Sequence, residues 1–173
     1  DIAQSSGVGE ATVYRYFNGR TELVIACAIK LQREVERYFA DPADTHTGYE
    51  RISRFYRAYL DLFRRRPRLY RCLNEFDAYC VNEGVTGLDE YADNMDRFRD
   101  VFLAAYREGV NDQTIRTIDA LDTFYYATTH AILSLCKKLA AGDDILRQDK
   151  LTDKSMEVET LIEVILSYLK RDK

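Results

Sequence analysis

The side chains of this sequence best suited to chemistry lie between residues 10 and 20, in the segment EATVYRYFNGR. If the segment is helical, successive side chains are roughly 100° apart, so Val13 and Phe17 share one face while Ala11 and Arg15 lie opposite. A face with a small residue, a guanidinium and flanking hydroxyls suits the major groove of DNA, where arginine bonds guanine and hydroxyls bond phosphates. The segment therefore predicts a helix that reads DNA.

The residues around this segment have the spacing of a helix-turn-helix. Ala3 is a small residue where two helices would cross, Gly7 lies at the tight turn, and Val13 would hold the second helix against the first. Arg20 opens the next helix, where it can bond a phosphate together with backbone amides. By its helical angle, Tyr16 is expected to be half-buried. Such spacing alone recurs in helical proteins, so it does not identify a class.

The longer run IAQSSGVGEATVYRYFNGRTEL resembles the signature of the TetR family of bacterial transcription regulators. Val13 and Arg20 are conservative replacements for the leucine and lysine usual in that family. The matching residues are Ile2, Ala3, Gly7, Val8, Tyr14, Phe17, Glu22 and Leu23. The resemblance covers about 22 residues, and it implies that the family's first helix precedes Asp1.

The resemblance also implies roles for residues of the reading helix. Operator contacts would come from Thr12, Tyr14, Tyr16 and Arg20, and the base sequence would be read by Glu10, Ala11 and Arg15. There are two departures from the family pattern: Gly9 replaces the usual Ser or Thr cap, and Glu10 replaces a basic or small polar residue. The negative charge of Glu10 interacts favourably with the positive end of the helix dipole but would repel a phosphate. The carboxylate could instead accept a hydrogen bond from a cytosine base.

Helices are expected throughout the chain. Apolar residues recur every three or four positions, the 173 residues include only two prolines, and no segment alternates as a strand would. The predicted spans are about 1–6, 10–17, 21–40, 48–65, 67–83, 88–108, 119–141 and 154–170. We therefore predict an all-α protein, with a helix-turn-helix DNA-binding domain over 1–40 and a larger ligand-binding and dimerisation domain over 41–173.

Composition narrows the class of protein. A net charge of −4 argues against a protein that coats nucleic acid, and there is no apolar run long enough to span a bilayer. We therefore expect a cytoplasmic protein that does not contact membranes. The cysteines lack CxxC spacing, so neither a metal site nor a cofactor is predicted, and all are expected to be reduced core thiols: Cys27, Cys72, Cys80 and Cys136.

The middle helices are rich in aromatic residues. Most aromatics at helical spacing form core, but buried tyrosine hydroxyls need partners and can line a pocket. With the family resemblance, this predicts a pocket for an apolar or aromatic effector, lined by Phe55, Tyr59, Phe63, Phe76, Tyr79, Phe98, Phe102, Phe124 and His130. A core or interface role for His130 remains the alternative.

The basic run Arg64, Arg65, Arg66 and Arg68 is interpreted as a solvated face, with an anion site as the alternative.

The last two helices each carry a wide apolar stripe. The first stripe runs from Leu121 to Leu139 and the second from Val158 to Leu169. From the pattern alone, the stripes could pack inside the protomer or pair with those of a second copy in a four-helix bundle. The family resemblance implies a homodimer through these two helices.

The interpretation with most support is a ligand-responsive regulator, a repressor, that binds a palindromic operator as a dimer and is released by a small molecule. An enzyme is the rival of a different class, but phosphate-binding loops, GxSxG, HExxH and clustered histidines are missing from the sequence. A third interpretation is a TetR-like helical dimer without DNA recognition, acting as a small-molecule-binding or interaction module.

Overall fold

A computed structural model of the protein describes residue 7 and residues 9–40, 46–142 and 147–171. The described part contains seven α-helices and one 3₁₀ turn at Arg147–Lys150. The helices are α1 (Glu10–Tyr16), α2 (Arg20–Phe39), α3 (Gly48–Arg65), α4 (Pro67–Glu83), α5 (Asp89–Asn111), α6 (Leu121–Ala140) and α7 (Lys154–Leu169). The prediction of an all-α protein is confirmed. The predicted helix at 1–6 and the signature residues Ile2, Ala3 and Val8 lie outside the described residues.

Helix α3 is the centre of the body, because it packs against α2, α4, α5, α6 and α7. It can contact so many helices because its apolar face is wide and continuous from Ile52 to Phe63, and Ile52 and Tyr56 are fully buried. Edge-to-face ring pairs surround it: the centroids of Phe39 and Tyr59 are 4.9 Å apart, and those of Phe55 and Phe102 are 5.6 Å apart. Burial of each such ring contributes about 1.5–3 kcal/mol, so this aromatic core holds the body together.

The start of α3 docks on the end of α5 at an unusually close approach. A Cβ added to Gly48 would lie 1.9 Å from the backbone nitrogen of Gly109, so only glycine fits there. The amide of Gly48 donates to the Asp112 carboxylate at 2.7 Å, and the amide of Tyr49 donates to the Thr114 hydroxyl at 3.2 Å. The segment AYREGVNDQTIR (105–116) therefore supplies the crossing point and two acceptors for the first amides of α3.

The apolar stripes of α6 and α7 lie mostly inside the protomer. Ile132 and Cys136 of α6 are 0% exposed, as are Val158 and Leu169 of α7. Since α7 packs on α3 and α6 packs on α4, the stripes serve the core of one chain. A second face of these helices stays exposed, and it carries Tyr126 and Ala127 on α6 and Val164 and Tyr168 on α7.

The expectation of four core thiols is wrong for three of the cysteines. Cys136 is buried, but Cys80 is only half-buried, and Cys27 and Cys72 are exposed. The reason is that Cys27 on α2 and Cys72 on α4 line an open cleft between these helices instead of facing α3. Arg64, Arg65, Arg66 and Arg68 are exposed, as expected of a solvated face.

Two features are absent from the described residues. Among them, no helix combines the length and the hydropathy of a membrane span. No three His, Cys, Asp or Glu side chains in the same ranges are grouped so as to hold a metal ion.

Candidate nucleic-acid interface and effector cavity

Helix α1 is a two-turn rod that buries none of its residues. Gly9 caps its start through its carbonyl, which accepts from the amide of Thr12 at 2.9 Å, and no side chain bonds there. At its end, the Phe17 amide donates to the Val13 carbonyl at 3.1 Å. The helix therefore forms where the sequence predicts it, and its side chains remain available for contacts.

The two faces of α1 differ in burial as the helical angles predict. Val13 and Phe17 are half-buried, whereas Ala11 and Arg15 are exposed. The guanidinium carbon of Arg15 lies 5.2 Å from the centre of the Tyr16 ring, so the two side chains form a cation–π contact on the outer surface of the helix. A surface of this composition can meet the edges of base pairs.

The remaining predicted DNA contacts lie around the same surface. Tyr14 is 65% exposed and Tyr16 is 69% exposed. The expectation of a half-buried Tyr16 is thus wrong, because this ring lies against Arg15 and not against the body. Glu10 is exposed in the first turn, and Thr12 is half-buried on the flank.

A short connection of three residues joins α1 to α2. Within it, the amide of Asn18 donates to the Glu22 carboxylate at 2.6 Å, so the glutamate of the signature closes this turn. Arg20 is the first residue of α2 and is exposed, as a phosphate contact requires. Because the connection is short and bonded, α1 follows the movements of the first turn of α2.

The first turn of α2 is joined directly to the body of the protein. The Thr21 hydroxyl lies 2.8 Å from the Tyr79 hydroxyl on α4, where either can donate. The Arg20 guanidinium also lies 5.6 Å from the centre of the Tyr79 ring. Tyr79 therefore contacts the first two residues of α2.

An inner cavity of about 70 Å³ lies between α2 and four helices of the body. Its walls come from α2, α3, α4, α5 and α6, and they are mainly apolar. The lining residues are Leu31, Gln32, Val35, Phe39, Tyr59, Leu62, Leu69, Tyr70, Leu73, Tyr91, Met95, Phe98, Leu133 and Lys137. This volume is below the roughly 300 Å³ at which drug-sized ligands are held, so a ligand of that size requires the walls to move.

A second cavity, of about 80 Å³, adjoins the first. The two share Tyr59, Met95 and Leu133 as lining residues, so these side chains form the wall between them. Asp96, Arg99 and the aromatic rings of α6 complete the second cavity. Met95 is 38% exposed and has an unbranched side chain, so it is the most adaptable part of the wall.

The inner cavity has few polar groups, and the protonation or the bonding partners of those described below are defined. Burial raises the pKa of Tyr91 to about 12 and that of Tyr59 well above its ordinary value, so both phenols stay protonated. Gln32 is 5% exposed, donates to the Tyr91 carbonyl at 3.2 Å and accepts from Asn94 at 3.3 Å. The Lys137 ammonium is paired with Asp77. The cavity thus offers hydroxyl groups and a paired cation on an apolar wall.

The predicted effector residues are distributed over several places. Tyr59 and Phe98 line the inner cavity, and Tyr59 and His130 line the second one. Phe55, Phe63 and Phe102 lie in the core and line neither cavity. Phe124 stacks on Tyr168 at 5.6 Å, between α6 and α7. Phe76 and Tyr79 line the cleft between α2 and α4.

The contribution of α2 to the inner cavity was not predicted from the sequence. A signal for it existed, since Leu31, Val35 and Phe39 recur at four-residue spacing and Gln32 is a polar residue on the same face. It was missed because the interpretation assigned α2 to the DNA-binding domain. Tyr91, Met95 and Lys137 were missed as well, and nothing in their spacing distinguishes them from surface residues.

The described residues form an all-helical protein in which a short, exposed helix is joined by a long helix to a five-helix body. A bacterial regulatory protein of the TetR family from Rhodococcus RHA1 matches it with a TM-score of 0.66 and 18% identity, over 99% of this chain and 85% of that one. A TetR-family transcription regulator from Marinobacter aquaeolei VT8 matches with a TM-score of 0.59 and 19% identity, over 99% of this chain and 83% of that one. No family model and no curated protein sequence matches the chain. The protein therefore has the fold of TetR-family regulators, and the resemblance is confirmed at the level of fold.

Proposed function

We propose that this protein is a ligand-responsive transcription repressor. It binds a palindromic operator in double-stranded DNA as a homodimer, with one α1 helix of each protomer in a major groove. The observation that carries the proposal is the burial of α1: Ala11 and Arg15 are exposed on one side, opposite half-buried Val13 and Phe17. The fold shared with two TetR-family regulators supports it.

The dimer is proposed to form through the exposed face of α6 and α7. Thr160, Val164 and Tyr168 follow one another at four-residue spacing, so they share one face of α7. Val164 is 59% exposed and Tyr168 is 48% exposed, although both are large and apolar. Beside them, α6 exposes the small residues Ala127 and Ala131, which let a second helix approach closely.

The effector is proposed to be a small apolar or aromatic molecule that enters the inner cavity. Its walls are apolar, and the Tyr59 and Tyr91 phenols can donate to a polar atom of the ligand. A ligand too large for about 70 Å³ must separate the helices around it. Helix α2 forms one wall of that cavity and also continues into α1, so the ligand can favour a state in which the two reading helices no longer match the operator.

The test is titration of the full-length protein against DNA from upstream of its own gene, by fluorescence anisotropy at low salt. Arg15→Ala and Arg20→Ala should each weaken binding by about 1–3 kcal/mol. Arg15→Ala should leave the melting temperature unchanged, whereas Arg20→Ala also removes the contact with the Tyr79 ring, so its affinity is measured well below its own melting temperature. Arg20→Ala should also reduce the salt dependence, since a phosphate contact releases counterions. Arg65→Ala, at an exposed arginine that ends α3, is the matched control and should bind normally.

A second candidate function is a small-molecule-binding dimer that does not recognise DNA. It is favoured by Glu10, an exposed carboxylate in the first turn of α1 that would repel a phosphate. The same titration separates the two functions. If the wild type and Arg15→Ala are both without affinity for the upstream DNA at low salt, the repressor proposal is wrong and the second function stands.

A further inference from the structure

A cleft of about 550 Å³ runs between α2 and α4, next to the reading helix. It is large enough for a small organic molecule. Leu23 and Val24 of α2 and Leu73 and Phe76 of α4 make its walls mainly apolar. Arg20 brings a positive charge to the cleft and Glu75 a negative one, so it is not selective for ions of one sign.

Each helix contributes one thiol to this cleft. Cys72, Phe76 and Tyr79 recur at spacings of four and three, so they lie on one face of α4. Cys27 lies on the stripe of α2 that faces them, and both cysteines are exposed and line the cleft. Two accessible nucleophiles thus share one apolar site.

The cleft ends at the contact that joins the reading helix to the body. The Thr21 and Tyr79 hydroxyls meet at 2.8 Å, and Arg20 covers the Tyr79 ring. Cys27 is six residues from Thr21, about 9 Å along α2 at helical rise. Cys72 is seven residues from Tyr79, about 10 Å along α4. Both thiols therefore lie about two helical turns from this contact.

We propose that the cleft between α2 and α4 is a modification site for soft, apolar electrophiles of the α,β-unsaturated carbonyl class, which react with Cys27 or Cys72 and release the reading helix from the body. The proposal rests on the proposed repressor function for its consequence in DNA binding. The reaction itself depends only on the cleft.

The chemistry is a conjugate addition. The sulfur forms a bond to the β-carbon of the electrophile as the C=C π pair moves to the α-carbon. The α-carbon takes a proton from water, and the thiol proton leaves to solvent, so no oxidant or reductant is consumed. Arg20 is placed in the cleft to donate a hydrogen bond to the carbonyl oxygen, which draws electron density from the alkene.

The adduct acts at the end of the cleft, since a cleft of about 550 Å³ can hold it without separating the helices. Its carbonyl oxygen competes for the Arg20 guanidinium and the Tyr79 hydroxyl, the groups that hold the first turn of α2 on α4. Loss of these contacts frees the first turn of α2 from the body. Since α1 follows the first turn of α2, the two reading helices of a dimer lose their operator spacing.

The reaction is tested on the native full-length protein with N-phenylmaleimide, followed by peptide mass mapping. Cys27 and Cys72 should be labelled at least about 10-fold faster than buried Cys136, since labelling follows exposure. The unreactive analogue N-phenylsuccinimide should slow labelling of Cys27 and Cys72 together and leave half-buried Cys80 unaffected. If millimolar N-phenylsuccinimide slows neither, the two cysteines are merely exposed and the proposal of a shared site is overturned.

The structural consequence is tested without DNA by hydrogen exchange of residues 20–24. Labelling should speed exchange there in the wild type and in Cys80→Ser, but not in Cys27→Ser/Cys72→Ser. Reaction of each single variant, Cys27→Ser and Cys72→Ser, shows which adduct produces the effect. If labelling of the wild type leaves the exchange of residues 20–24 unchanged, the proposed release is wrong.

Operator binding completes the test. Labelled wild type should lose at least about 10-fold in affinity, within the range of allosteric coupling, and the labelled double serine variant should lose none. If no form of the protein binds the operator, the repressor function fails while the labelling and exchange results stand. If unlabelled protein binds and labelling leaves the affinity unchanged, the regulatory proposal alone fails.

Discussion

The Thr21 hydroxyl and the Tyr79 hydroxyl lie 2.8 Å apart, and they connect residues that are 58 positions apart in the chain. Thr21 belongs to the first turn of α2, directly after the short connection from α1, and Tyr79 belongs to the last turns of α4. Because α4 also lines the inner cavity through Leu69, Tyr70 and Leu73, this pair joins the first turn of α2 to a second helix of the cavity wall.

Tyr79→Phe should weaken this link and keep the ring that Arg20 covers. We expect a loss of about 1 kcal/mol in the free energy of unfolding, the usual value of one hydrogen bond. Urea denaturation measures it. Tyr14→Phe is the matched control, because Tyr14 is 65% exposed on α1. Equal stability of the two variants would show that the contact contributes nothing.

Met95→Ala should join the two cavities that Met95 separates. The combined space would accept a bulky aromatic probe, so we expect 1-anilinonaphthalene-8-sulfonate to bind at least about 5-fold more tightly, a gain of about 1 kcal/mol. A fluorescence titration measures the change. Met156→Ala, at a 64% exposed methionine of α7, is the control. If both variants bind the probe equally, Met95 does not separate the two cavities.

Val164→Asp should dissociate the proposed dimer. A carboxylate on the exposed face of α7 would be desolvated in the interface, which we expect to raise the dimer dissociation constant at least about 30-fold. Sedimentation equilibrium measures the constant. Val81→Asp is the control, since Val81 is 81% exposed on α4. A dimer that survives Val164→Asp, or a wild type that is monomeric, argues against this interface.

Gly48→Ala should destabilise the fold strongly. The new Cβ would meet the backbone of Gly109 at 1.9 Å, and backbone cannot rotate away as a side chain can. We expect at least about 3 kcal/mol of lost stability, measured by thermal or urea unfolding. Gly19→Ala is the control, because nothing lies within 4 Å of its Cβ position and its φ of 171° is extended backbone. Similar losses in both variants would contradict the close approach.

Asp112→Ala should destabilise the protein in a pH-dependent way. Burial raises the pKa of Asp112, but bonds from the Thr114 hydroxyl, the Gly48 amide and the Thr114 amide lower it, and the lowering prevails. The carboxylate therefore stabilises the native state above its unfolded pKa of about 3.9, and this is lost as pH falls through the folded pKa.

For the exposed Asp112 carboxylate we expect a loss of about 1 kcal/mol at pH 7 in the alanine variant, shrinking below about pH 4. Urea titrations at several pH values measure it. Asp100→Ala, at an exposed position within α5, should show a much smaller difference at every pH. A loss for Asp112→Ala that persists undiminished at pH 2 would mean that the charge is not the cause.

The positions of the helices could be predicted from the sequence because local chemistry marks their ends. Thr47 and Glu50 form a capping box at the start of α3, Pro67 occupies the first turn of α4, and Gly84 ends α4 in the left-handed region. The predicted spans 48–65 and 67–83 agree with α3 and α4 residue for residue. The outward face of α1 was predictable for the same reason, since helical periodicity alone separates Arg15 from Val13.

The cavities and the cleft were decided by the tertiary structure. Phe55 and Phe98 are both aromatic residues at helical spacing, yet Phe55 packs in the core and Phe98 lines the inner cavity. Cys27 and Cys72 are apolar in type, yet both are exposed in a cleft. Whether such a side chain is covered or lines an opening depends on residues of another helix, tens of positions away in the sequence. Which helices lie next to each other is determined by the packing of whole helices, and the periodicity of a single helix does not reveal it.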